Sequence, residues 1–130
     1  MPKLADIAPI IWAKWGDTSL EALRQEALDA DDGLAFRAMN TEGGIRTLLV
    51  VCTTNPAQIQ AVEEAWTPVA AARPADWRNY SAAEMVFKTE KGGGVSHQEL
   101  RGESGTTSLV LCATRPAAVR TLEALFDLPA

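Results

Sequence analysis

The chain has 130 residues, 47% hydrophobic and 22% charged, a balance that excludes a disordered chain and predicts one domain spanning residues 1–130 with its own core. Seventeen acidic residues against twelve basic ones give a formal net charge of −5, and no basic stripe is present, which excludes the electrostatic footprint of a nucleic-acid binder. No apolar run reaches the ~20 residues that span a bilayer, so a cytoplasmic protein making no membrane contact is expected.

Residues 9–15, PIIWAKW, are partly β-branched and aromatic and stop at Gly16, which predicts a strand, with a short helical arm as the alternative. Residues 17–33 predict a helix. Thr18 and Glu21 have the spacing of a capping box, Leu20, Leu23 and Ala27 share one face, and Gly33 follows the Asp-rich end. From Asp17 to Glu42 stand seven carboxylates (Asp17, Glu21, Glu26, Asp29, Asp31, Asp32, Glu42) against Arg24 and Arg37. Such a bias is a solvated face or, in a sharper reading, an acidic patch for a basic partner.

LAFRAMN (34–40), the turn residues TEGG and IRTLLVVCTT (45–54) predict a hairpin. Its second strand is unalternating from Leu48 to Cys52, as a central strand covered on both faces would be. Pro56 opens a helix with Ile59, Val62 and Trp66 on one stripe, and Pro68 ends it. EMVFKTE (84–90) reads as a strand. Residues 91–105, KGGGVSHQELRGESG, carry five glycines and read as a mobile hairpin loop with at most a short strand near SHQEL. TTSLVLCATR (106–115) is a further buried strand, and Pro116 starts a last helix with Val119, Leu122 and Phe126 inward.

Residues 48–66 and 108–126 share Leu49/Leu109, Val50/Val110, Cys52/Cys112, Thr54/Thr114, Pro56/Pro116, Ala57/Ala117 and Glu63/Glu123. A strand, a Thr-x-Pro-Ala turn and a helix thus occur twice. With LAFRAMN and EMVFKTE as the preceding strands, the units run over about 34–66 and 84–126. Two units predict a pseudo-twofold internal repeat inside an α+β domain, an antiparallel sheet with helices packed on it. A strand at 9–15 gives a ferredoxin-like element order; an arm there gives a roadblock or profilin-like order, and neither analogy brings a function with it.

Candidate chemistry is sparse. The turns TTNP and ATRP face helix starts, where Thr54, Asn55 and Arg115 would suit an anion, but capping by Thr54, Asn55 and Thr114 explains the pattern without one. Cys52 and Cys112 sit in apolar runs and read as buried reduced thiols. DADDG fails the calcium-loop spacing and there is no Cys/His cluster, so no metal is expected. His97 and Arg101 in the Gly-rich loop, and the large aromatics Trp12, Trp15 and Trp77, are the candidate binding residues. No catalytic constellation is present, and His97 is the catalytic candidate only if the protein is an enzyme.

These readings predict a cofactor-free, non-enzymatic protein-binding or regulatory module, as a homodimer or as an acidic inhibitor or immunity-type partner of a basic protein. The alternative is a small-molecule-binding protein or enzyme of the dimeric ferredoxin-like kind, with a pocket between sheet and helices.

Overall fold

The computed structural model describes residues 4–42, 45–65, 80–101 and 107–127. After a 3-10 turn at Leu4–Ile7, residues Ala8–Trp15 form helix α1. Pro9 lies in its first turn, where a missing N–H costs nothing. Ile11 and Trp15, four apart, are buried, whereas Ile10 and Trp12 are exposed. That is a helical period, and it overturns the strand expected over 9–15. Helix α2 (Leu20–Asp29) is capped by Ser19, whose Oγ accepts from the Ala22 N–H at 3.0 Å. The cap thus stands one residue after the expected Thr18, and Glu21 pairs with Arg24 instead of closing a box.

Strands β1 (Leu34–Glu42) and β2 (Ile45–Thr53) form the expected hairpin, with the register of β1 shifted between Met39 and Glu42. Helix α3 (Pro56–Ala65) comes next, and its expected stripe residue Trp66 lies outside the described residues, as does Pro68. Residues Ala82–Lys91 are helix α4, which corrects the strand expected at 84–90. The Glu84 N–H donates to Ser81 Oγ at 3.0 Å and the Ser81 N–H to Glu84 Oε1 at 3.2 Å, a complete capping box. Ala82, Met85, Val86 and Thr89 line its buried face at helical spacing. Replacing Ser81 by alanine should cost about 1 kcal/mol, read as a lower urea midpoint at unchanged slope.

Gly92–Gly94 turn the chain into strand β3 (Val95–Arg101), so much of the loop expected over 91–105 is regular sheet. Strand β4 (Thr107–Ala113) and helix α5 (Pro116–Phe126) complete the described elements. The sheet order is β1-β2-β4-β3, antiparallel throughout. The architecture is therefore α+β: five helices on a four-stranded antiparallel sheet, among the described residues. A ferredoxin-like order needs a strand where α1 lies, and the roadblock or profilin-like alternative needs one where α4 lies; the described elements match neither.

Helices lie on both faces of the sheet. On one, Ile11, Trp15, Leu20, Leu23, Met85 and Val86 of α1, α2 and α4 pack over Leu48, Val50, Cys52, Val110 and Cys112. On the other, Val62, Val119, Leu122 and Phe126 of α3 and α5 cover Leu49, Val51, Leu109 and Leu111. With both faces covered, the central strands β2 and β4 need no alternation, which explains their continuous apolar runs.

Two further details recur along the chain. The Thr54 N–H donates to the Gly33 carbonyl at 2.8 Å, and the Thr114 N–H donates to the Gly94 carbonyl at 3.0 Å. Both glycines have positive φ, +70° and +92°, where a side chain would be strained. The starts of α2 and α4 also meet: Leu20 N–H donates to Tyr80 O at 2.8 Å, and Ala82 N–H donates to Thr18 O at 2.7 Å.

Candidate functional site

The candidate residues separate. Trp15 is core, 4% exposed, and belongs to the cluster that α1, α2 and α4 form over the sheet. Trp12, three residues earlier, is 47% exposed and stacks on Phe87 of α4, ring centroids 5.7 Å apart at 15°. Trp77 lies outside the described residues. His97 sits within β3 opposite Leu111 and so faces the α3–α5 side, because paired residues share a face. Arg101 ends β3 opposite Thr107. His97 and Arg101 are thus strand positions, not parts of a loop lid, and His97 lies on the opposite face of the sheet from Trp12.

The outer surface of the α1, α2 and α4 layer combines apolar and acidic groups. Ile10, Trp12 and Leu28 are the exposed large hydrophobics among the described residues, and all three belong to this layer. Of the acidic segment, Glu21 is held by Arg24 at 2.7 Å, Glu26 pairs with Arg37, and Asp32 accepts from the Leu34 N–H at 3.1 Å. Asp17, Asp29 and Asp31 are exposed at the two ends of α2. Apart from the buried Arg24 of α2, the basic side chains of the layer lie on α1 (Lys14) and α4 (Lys88, Lys91); Lys88 sits over the Tyr80 ring at 5.4 Å.

At the helix starts, Asn55 Oδ1 accepts from the Ala57 N–H at 3.0 Å, and Thr53 Oγ1 accepts from the Asn55 N–H at 3.2 Å while donating to Gln58 at 2.7 Å. Thr114 hydrogen-bonds the Glu90 carboxylate, and Arg115 lies 3.6 Å from it. These groups serve local structure. Cys52 and Cys112 are free and buried; burial pushes each thiol up to about 12, against a nearby Arg24 that favours the thiolate at Cys52 and a Thr89 hydrogen bond that does so at Cys112. Cys52 pairs with Val110 and Cys112 with Val50, so the two are diagonal neighbours, Cα atoms about 7–8 Å apart and beyond disulfide reach.

Polar atoms inside the same layer escape a reading of the sequence. Glu21 Oε2, Arg24 Nε, Gln98 Oε1 and Ser108 Oγ are each shut off from solvent without a hydrogen-bond partner. Arg24, Gln98 and Ser108 are only 6%, 8% and 0% exposed. An unpaired buried polar group costs about 1–3 kcal/mol, more if charged, so several together are an unusual expense for a small domain. The sequence signal is faint: an arginine on the buried stripe of α2 and a serine at the head of an apolar strand. Among the described residues, no group of three His, Cys, Asp or Glu side chains is placed to hold a metal, and no helix is long and apolar enough to cross a membrane. Comparison with protein-family models, with curated proteins and with solved structures returns no match.

Proposed function

We propose that the protein acts by binding a basic protein partner through the outer surface of α1 and α2. The observation carrying this reading is that Ile10, Trp12 and Leu28 are exposed on one layer that also carries the exposed carboxylates Asp17, Asp29 and Asp31. Trp12 is an indole held against Phe87 with much of its surface still in solvent, the form an anchor takes before it is covered. The carboxylates would steer a cationic surface toward it and repel acidic competitors. An inhibitor or immunity-type role is one form of this activity.

We also infer that the domain is built from two α-β-β-α units related by a pseudo-twofold. Its support is the order α2-β1-β2-α3 followed by α4-β3-β4-α5, the matching Gly33–Thr54 and Gly94–Thr114 hydrogen bonds, and the paired caps Ser19 and Ser81. On that view α1 is an addition to the first unit, and it carries Trp12.

The test is capture from the native host with wild type, Trp12→Ala and the double variant Asp29→Asn/Asp31→Asn. A bound protein should be lost with Trp12→Ala by about 30-fold or more. It should also weaken steeply between ~0.1 and ~1 M salt, as the screening length falls from about 10 to about 3 Å. A partner held equally by all three proteins would overturn the reading. So would sedimentation showing that Trp12→Ala abolishes self-association and nothing else, which would assign the surface to a homodimer.

A further inference from the structure

The four unpartnered atoms belong to side chains on the α1–α2–α4 side of the sheet, and register puts two of them, on Gln98 and Ser108, in the quadrant of β3 and β4 next to Cys52. Arg24 and Glu21 of α2 are near enough to Cys52 of β2 to act on its thiol electrostatically. Cys52 pairs with Val110 of β4, which pairs in turn with Gln98 of β3, so all three side chains share a face. Ser108 is two residues along β4 from Val110 and points the same way. Strand spacing and rise place the Cα atoms of Gln98 and Ser108 about 10 and about 8 Å from that of Cys52, within the combined reach of these side chains and a small molecule.

The positions matched in the other half of the chain argue that packing does not require this polarity. Counting from the caps Ser19 and Ser81, Glu21 and Arg24 correspond to Ala83 and Val86, both fully buried in α4. Counting from Thr53 and Ala113, which close the two outer strand pairings, Ser108 corresponds to the buried Leu48. The ion pair of the first unit is thus matched by hydrocarbon in the second, and the hydroxyl of the second by hydrocarbon in the first. A second buried polar group of the β3 side, Thr89, is instead satisfied internally by Ser96 at 2.6 Å, so buried polarity in this layer is not simply left unpaired.

We propose that this quadrant binds a small zwitterion of the free α-amino acid class. Arg24 Nε–H and the Ser108 hydroxyl donate to its carboxylate, and Glu21 Oε2 and Gln98 Oε1 accept from its ammonium group. The donors and acceptors are two of each, with the charges of Arg24 and Glu21 opposite, which fits a zwitterion better than a simple anion or cation.

Calorimetric titration and thermal melts of the full chain with L-alanine, L-serine, L-glutamine and L-aspartate test this, with propionate and ethylamine as single-charge controls. At least one amino acid should raise the melting midpoint and bind about 10-fold or more tighter than either control. Ser108→Leu should fold and bind about 10-fold or more weaker, since leucine occupies the matched position in β2. Glu21→Ala/Arg24→Val, which copies α4, should also fold and lose binding. Should either fail to fold, the other variant and Gln98→Met decide by the same readout. Absence of heat and of a midpoint shift with all four amino acids overturns the proposal, as does binding of propionate or ethylamine as tight as the best amino acid. Retention of wild-type affinity in every variant that folds overturns it as well.

Discussion

Replacing Trp15 by alanine is expected to destabilise the fold by about 3–5 kcal/mol, while Trp12→Ala, three residues away, should cost only about 1 kcal/mol. The asymmetry comes from the helical period of α1. Trp15 is buried in the core cluster shared by α1, α2, α4 and the sheet, and its removal leaves a cavity that relaxation of its neighbours closes only in part. Trp12 loses only one stacked contact with Phe87, and its outer face already meets water. Urea unfolding of the two variants measures both numbers, since a shift in midpoint at constant slope reports stability alone. Comparable losses at the two positions would mean that Trp12 is a packing residue and would remove the anchor from the binding surface. A large loss at Trp15 is also a substantial share of the ~5–15 kcal/mol that holds a domain of this kind together.

The second large effect is alkaline. Both thiols have a folded pKa of about 12 against an ordinary value of 9.0, because burial disfavours the thiolate. A pKa raised by folding leaves stability intact below pH 9 and erodes it between pH 9 and 12, where the unfolded chain ionises first. The loss is about 1.4 kcal/mol per thiol for each pH unit above 9, hence on the order of 3 kcal/mol per unit for the two together. The Cys52→Val/Cys112→Val variant should lack this limb, which assigns it to the two thiols. At neutral pH the same burial means that a thiol reagent reacts only as fast as the protein opens. Rapid labelling of either cysteine in the folded protein would contradict its placement on the inner face of β2 or β4.

Much of the layer structure is legible in the residues. Continuous apolar runs in β2 and β4, proline at the starts of α3 and α5, and the stripe Leu20, Leu23, Ala27 all point to the elements observed. The failures have physical causes. The span 9–15 resembles a strand because Ile10, Ile11, Trp12 and Trp15 favour one by composition, yet only Ile11 and Trp15 are buried, and their spacing is four. Residues 84–90 contain Met85, Val86 and Phe87 in succession, which suggests a strand; the decisive signal is the capping box that begins three residues upstream, at Ser81. Three glycines at 92–94 suggest a long loop, whereas they make one tight turn, and pairing with β4 orders residues 95–101 as a strand. The candidate site is less legible. Trp12 stands out as a large aromatic near one end of the chain, but buried polar mismatches such as Ser108 and Gln98 arise only from the register of non-local strands.

The order β1-β2-β4-β3 carries a consequence for assembly. Each hairpin forms between residues close in the chain, but β2 and β4 meet across about sixty positions, and their contact closes the sheet. Loop closure makes such a seam slow to form, so a chain caught before it closes exposes both hairpins. An open seam would bare two central strand edges built from Leu49–Cys52 and Leu109–Cys112, with no charge or bulge in the paired register to discourage another strand. Two copies opened in this way would find in each other the complementary edge that each has lost. Exchange of halves between molecules, rather than fraying at β1 or β3, is therefore the route by which this protein would form swapped dimers and, beyond them, aggregates.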